Sequence, residues 1–216
     1  MPLPSPLVIA VDGPAASGKG TIARALARKY GLPHMDTGML YRAVALSLFR
    51  FGGDAASEFE AARAVHDLDK IDMGDPELRS ETIGGIASRI SIYPSVRAAL
   101  LDKQLAFAGQ PDGAVLDGRD IGTVIVPNAS VKLFVTASAE VRANRRLAEL
   151  KQRRMAAHLD EVLADIRARD ERDSGREAAP LFQADDALLL DTSSMDVEEA
   201  IAEALRLVET SLTADA

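Results

Sequence analysis

Leu7-Val8-Ile9-Ala10-Val11 runs straight into Asp12-Gly13-Pro14-Ala15-Ala16-Ser17-Gly18-Lys19-Gly20-Thr21, and Ile22, Ala25, Leu26 and Ala27 then repeat at helical spacing. The pattern is an apolar strand, a glycine-rich turn and a helix. Glycines let successive backbone N–H groups turn inward, and the helix presents its unpaired N-terminal amides to the same point, a geometry that cradles phosphate. Lys19 is placed to reach the terminal phosphates of a nucleoside triphosphate. The spacing from Gly13 to Gly18-Lys19 fits GxxxxGK, but Gly20 takes the next position, where a hydroxyl ordinarily ligates Mg²⁺. The hydroxyl comes one residue later, at Thr21. The alternative is a glycine-rich strand-to-helix turn that holds no ligand.

Bulk properties narrow the setting. A chain of 216 residues has room for one substantial α/β domain with a small insertion. Its net charge of −8 opposes a nucleic-acid surface, because a polyanion meets repulsion at long range, and 4% aromatic residues leave few platforms for stacking bases. Any nucleotide site must be a local cationic pocket. Without cysteine there is no disulfide frame, thiolate nucleophile or Cys-ligated zinc, and His34, His66 and His158 are too scattered for a metal site. They are expected to be ordinary packing or surface histidines. Residues 1–6 carry no positive charge and the apolar run behind them is only strand-long, so neither a signal peptide nor a membrane span is expected. A cytoplasmic monomer with no membrane partner is the expectation.

Further along, residues 18–30 read as a helix closed by Gly31 and Pro33, and residues 33–35 as a short strand or extended turn. Asp36 or Thr37 is the expected N-cap of a helix carrying Met39, Tyr41, Val44, Ala45, Leu48 and Phe49, stopped by Gly52-Gly53. Residues 55–69, 77–92 and 95–109 form a helical block suited to binding a substrate. Strands are expected at 114–117, 131–135 and 187–191, charged helices at 138–154 and 158–173, and a closing helix at 196–211 bearing Val197, Ala200, Ile201, Ala204 and Leu205. Strands alternating with helices imply an α/β fold: a parallel sheet covered on both faces.

Positive charge is concentrated late in the chain, where Arg142 to Arg176 holds ten of the 25 lysines and arginines. Arg169, Arg172, Asp173 and Arg176 share a face if their helix runs that far; alternatively Ser174-Gly175 ends it and leaves Arg176 on a mobile loop. A solvated helix with pairs such as Arg169–Asp173 is the plainer reading. Asp117-Gly118-Arg119-Asp120 follows a strand, at the sheet edge where ligands of such folds bind. There Asp117 suits Mg²⁺-bound water, Arg119 a phosphate and Asp120 an exocyclic amine; a polar turn capped by Asp is the alternative. Thr37, Gly38, Tyr41 and Arg42, at another helix start, suit a second phosphate group.

Taken together, these motifs make the chain resemble the bacterial cytidylate kinases, within the nucleoside monophosphate kinases. The match rests on Asp12-Gly13-Pro14 with Gly18-Lys19-Gly20-Thr21, Asp36-Thr37-Gly38 with Tyr41-Arg42, Asp117 to Thr123, and Arg169 to Asp173 with Arg176. The resemblance implies a P-loop NTPase-type sheet spanning residues 1–216 as one domain. Its core would be about 7–51, 110–140 and 185–213, with a small helical insertion binding the monophosphate at about 52–109 and a lid at about 145–176. It implies transfer of the ATP γ-phosphoryl group to CMP or dCMP with Mg²⁺. Residues 13–21 would hold ATP. Ser88, Arg97 and Asp120 would read cytosine, Arg169 and Asp173 the pentose, and Thr37, Tyr41, Arg42, Arg119 and Arg176 the acceptor phosphate. Lys19, Arg119, Arg146, Arg172 and Arg176, with Arg145 nearby, would stabilise the transferring group. Bacterial relatives often carry a longer, partly β-structured segment where only Lys70–Glu77 stands here, so this insertion is expected to be trimmed and helical.

Overall fold

A computed structural model describes residues 6–214, so the leader reading of residues 1–6 falls almost wholly outside it. Five strands make one parallel sheet: β1 (Leu7–Asp12), β2 (His34–Asp36), β3 (Gly113–Gly118), β4 (Val131–Thr136) and β5 (Leu188–Asp191), in the order β2-β3-β1-β4-β5. Strand β1 is flanked by β3 on one side and β4 on the other, the point at which such sheets open a crevice at the C-terminal ends of the strands. Register sets Asp12 beside Gly118 and Phe134, and Asp36 beside Asp117, so carboxylates gather at that edge.

The two-residue period of each strand sorts the core into layers. Leu7, Ile9 and Val11 face the side covered by α1 (Lys19–Tyr30) and α8 (Val197–Ala214), meeting Leu26 and Val208. Ala10 faces the other side with Leu116, Ile121 and Ala108 of α5 (Pro94–Ala108). A separate core forms where α2 (Thr37–Arg50), α3 (Glu58–Ala64) and α4 (Glu81–Ile90) pack with α5 around Leu46, Leu78, Ile83 and Leu100. A fourth joins α6 (Ala139–Gln152) to α7 (Leu159–Gly175) through Ala143, Leu150, Val162 and Ile166. The expected class, a sheet with helices on both faces, is the class observed.

Boundaries differ in instructive places. The helix expected at 55–69 starts only at Glu58, where Ser57 accepts the Glu60 N–H, and tightens into a 3-10 turn at Val65–Lys70. That expected at 77–92 is broken at Ser80, which ends a 3-10 turn at Pro76–Arg79 and caps α4 by accepting the Ile83 N–H at 3.2 Å. Among the described residues, 52–109 contain no strand, so the segment expected to be helical is helical. Helix α7 ends at Gly175 and Arg176 is extended, so the alternative in which Ser174-Gly175 stops the helix holds; yet Arg176 is buried rather than loose. Val197, expected in the apolar stripe of α8, is 63% exposed, because it opens the helix beyond the reach of the sheet.

Two close approaches fix the loop after β1. A Cβ on Gly13 would lie 2.0 Å from the Val135 carbonyl oxygen, so no other residue lets the loop turn here against β4. Asp12, 5% exposed, accepts the N–H groups of Ile121 and Gly122, both at 2.8 Å. These open a single π turn, Ile121–Ile125, which the sequence does not announce.

Burial pushes the Asp12 carboxyl up to about 6, against the two N–H bonds that favour its charged form, with Asp120 adding to the rise. The folded chain therefore holds this proton more tightly than the unfolded chain, and the stability Asp12 contributes falls as pH rises between about 4 and 6. The effect is at most about 3 kcal/mol. Denaturant unfolding of the chain and of Asp12→Asn at about pH 4.5 and pH 7 is expected to show the wild type's relative advantage shrinking at the higher pH. A pH-independent difference contradicts it.

Candidate active site

A cavity of about 500 Å³ opens at the C-terminal edge of the sheet, walled by the loop after β1, the start of α2, α4, the β3 edge and α6–α7. Lys19 and Arg42, from the two expected phosphate pockets, line this one space. So do Thr37, Tyr41, Ser88, Arg97, Arg119, Asp120, Arg146, Arg169, Arg172, Asp173 and Arg176, drawn from six separate stretches of sequence. The phosphate loop contributes Ala15, Ala16 and Lys19 to the lining. Gly13, Pro14, Ser17, Gly18, Gly20 and Thr21 stand behind it; Ser17 is fully buried and the Thr21 hydroxyl accepts from Arg24 at 3.3 Å. Asp117 is likewise outside the lining, 2% exposed, with its carboxylate 2.7 Å from His34 Nε2 and its carbonyl accepting the Thr37 hydroxyl at 2.9 Å. His34 therefore belongs to the site's support, which its place in the sequence did not suggest.

Among the described residues Lys19 donates only to the Pro14 carbonyl, at 3.5 Å. Burial and the neighbouring Arg119 guanidinium push its ammonium down to about 8, against the pull of Asp117 and Asp36. Asp36 shifts the other way: burial raises its carboxyl, Asp117 beside it raises it further, and Lys19 only partly offsets this. The floor of the cavity thus pairs a cation short of counter-charge with two crowded carboxylates.

On the opposite wall each cation has a fixed seat. Arg42 donates to the carbonyls of Leu78 and Ser80, at 2.7 and 3.1 Å, and crosses α4 over Gly84. A Cβ there would sit 2.6 Å from its Nη2, so glycine clears the way. Asp120 binds Arg97 directly and Arg176 at 3.4 Å, while Arg97 lies 6.0 Å over the Tyr41 ring. Asp173 binds Arg119 Nε at 2.7 Å; burial alone would raise its carboxyl, and Arg119 overcomes that and holds it below the usual carboxylate range. This is the pair Asp173 makes, in place of the Arg169 pair of a solvated helix. Arg169, left with an unpartnered buried Nε, is pushed down to about 10 by burial and by Arg119. Arg172 donates to the Ser88 hydroxyl at 3.2 Å, and Arg146 binds Glu81 and Glu149.

Two features escape a reading of the sequence. Arg145, expected beside the transferring group, instead donates to the carbonyls of Thr192, at 2.7 Å, and Met195, at 3.3 Å, behind the loop. Its neighbour in sequence, Arg146, faces the cavity because one residue on a helix turns the side chain by about 100°. Glu81, the counter-ion of Arg146, sits 65 residues away at the start of α4, and no local pattern links the two.

Residues 9–210 match the family model for cytidylate kinase. The chain is 59% identical over 205 residues to the cytidylate kinase of Xanthobacter autotrophicus, covering 94% of this chain and 97% of that protein. It is 55% identical over 205 residues to the cytidylate kinase of Azorhizobium caulinodans, with 94% and 98% covered. An uncharacterized protein from Eubacterium ventriosum shares the fold, with a TM-score of 0.58 at 12% identity over 94% of this chain and 99% of that one.

The lowered Lys19 gives the site a proton signature. A polyphosphate seated against Lys19 raises its affinity for a proton, so ATP binding near pH 8 is expected to take up a fraction of a proton, shrinking toward zero by about pH 6.5. Calorimetric titration in buffers of different ionisation enthalpy reads this directly. Lys19→Met is expected to abolish the buffer dependence; no buffer dependence in the wild type at pH 8 contradicts the reading.

Proposed function

The chain belongs to the cytidylate kinase family, and we propose that it moves the γ-phosphoryl group of ATP onto CMP and dCMP, giving ADP and CDP or dCDP. The observation that carries this reading is the single cavity lined by both Lys19 and Arg42. One anion pocket faces the other with no wall between them, which a direct, in-line handover needs.

An oxygen of the acceptor phosphate forms the new bond to the γ-phosphorus as the bond to the β,γ-bridging oxygen breaks and ADP departs with its electrons. The acceptor phosphate is already ionised near neutral pH, so the chain need supply no general base. Its work is alignment and charge neutralisation. The backbone of residues 13–21 and Lys19 hold the donor's phosphates, and Thr37, Tyr41, Arg42, Arg119 and Arg176 the acceptor's. Arg119, Arg146, Arg172 and Arg176 face charge spreading over the transferring group. Cytosine offers an N4 donor to Asp120 and O2 and N3 acceptors to Arg97 and Ser88, whereas uracil would set O4 against the Asp120 carboxylate. Arg169 and Asp173 take the pentose.

Mg²⁺ fits the donor set. It keeps several waters and takes one or two carboxylates with substrate phosphates, and the crowded Asp36–Asp117 pair next to Lys19 is such a place. Asp36 and Asp117 would hold it through water, and when bound it supplies positive charge to the phosphate oxygens. In this reading residues 52–109 bind the monophosphate and 145–176 form a lid, and the chain works as a cytoplasmic monomer. Among the described residues no helix is long and apolar enough to cross a membrane.

Measuring ADP release with ATP and each of CMP, dCMP, UMP and AMP tests the assignment. The cytidine nucleotides are expected to be the preferred acceptors; equal or greater turnover of AMP or UMP overturns it. Arg176→Ala is expected to lower turnover of CMP by about 10²-fold, the usual cost of removing a donor to developing charge. Unchanged kinetics contradict its role.

A further inference from the structure

Arg142, on α6, does not line the cavity, yet its guanidinium is buried and joins three segments of chain. Nε donates to the Ala137 carbonyl just past β4, at 2.8 Å. Nη1 reaches the Ala15 carbonyl of the phosphate loop at 3.3 Å and Asp170 Oδ1 at 3.0 Å, and Nη2 takes Asp170 Oδ2 at 2.7 Å. Asp170 lies on α7, next to Arg169 and within one turn of Asp173. An apolar side chain would fill such a space at no cost in desolvation, so stability alone does not call for a buried ion pair. Its fork geometry suits it to fixing three elements in register.

The next loop residue repeats the contact in another form. Ala16 holds φ at 59°, a conformation that strains a residue with a Cβ and is usually left to glycine. Its side chain packs against the apolar cluster of α6 and α7, around Leu150, Val162 and Ile166. At two consecutive residues, then, the loop is seated on the helix pair that carries Arg146, Arg169 and Arg172 into the cavity.

We propose that Arg142 and Asp170 are positioning residues that lock α7 to the phosphate loop, so that seating the donor and presenting the α7 arginines are one movement that also shuts out water. The inference rests on the kinase reading above. When the lock holds, the acceptor oxygen is the one nucleophile in line with the γ-phosphorus. When it is loosened, water attacks in its place: the bridging bond still breaks, ADP still leaves, the product is inorganic phosphate, and the water's proton goes to solvent.

The test compares the full-length chain with Asp170→Asn, which removes the charge from a half-exposed carboxylate, and with Arg142→Lys, which keeps the charge but lacks the fork. Folding is read by thermal melts, and ADP, CDP and inorganic phosphate are measured together. The wild type is expected to make ADP and CDP one for one. Asp170→Asn is expected to lose CDP formation about 10- to 100-fold, the scale of a small misplacement of reacting groups. Its ADP-to-CDP ratio should rise above one with phosphate released. Arg142→Lys should behave the same way. Retained turnover, or lower turnover with the products still one for one, makes the pair merely structural and overturns the proposal. A wild type that forms no CDP from CMP instead removes the kinase reading itself.

Discussion

Burial of cations that also repel one another is the constraint around which this molecule is arranged. Lys19 and seven arginines line one cavity in a chain of net charge −8, and burial drives Lys19, Arg42, Arg169 and Arg176 toward their neutral forms. They stay in place because carboxylates and carbonyls answer them one by one: Asp173 for Arg119, Asp120 for Arg97 and Arg176, Glu81 for Arg146, two backbone carbonyls for Arg42. The answer is incomplete at Arg169 and Lys19, and an incompletely neutralised buried cation is a site that draws an anion.

The sheet makes the arrangement rigid. Parallel strands end together, so Asp12, Asp36 and Asp117 arrive at one edge, and Asp12 ties the segment bearing Arg119 and Asp120 to the strand that launches the phosphate loop. Electrostatic stabilisation of a transferring phosphoryl group depends on donors that need not move when charge develops. Here they are held by separate cores: one beneath the sheet, one within α2–α5, one between α6 and α7.

Much of this was legible in the sequence, for a physical reason. The loop after β1, the α2 start and the Gly118-Arg119-Asp120 turn each keep their candidate residues within a few positions, because a single turn presents them. The α/β fold followed from strands that alternate with helices. What stayed hidden depends on long-range partners. No local pattern joins Arg146 to Glu81, Arg142 to the Ala15 carbonyl, or Asp12 to two amides more than a hundred residues on. The breaks at Ser80 and Val65 were missed because an apolar period alone does not separate an α-helix from a 3-10 turn that leads into one. The side of α6 that each arginine faces was likewise set by packing against the loop and β5 end, not by composition.

The central claim is that both nucleotides occupy one continuous cavity, and a molecule that joins them measures it directly. Cytidine and adenosine linked 5′ to 5′ through a chain of five phosphates spans both pockets at once. Calorimetric titration is expected to give one such molecule per chain, displaced by ATP and by CMP, bound more tightly than either nucleotide alone by about 10² or more, as linked binding requires. Binding no tighter than ATP, or failure of CMP to compete, contradicts it.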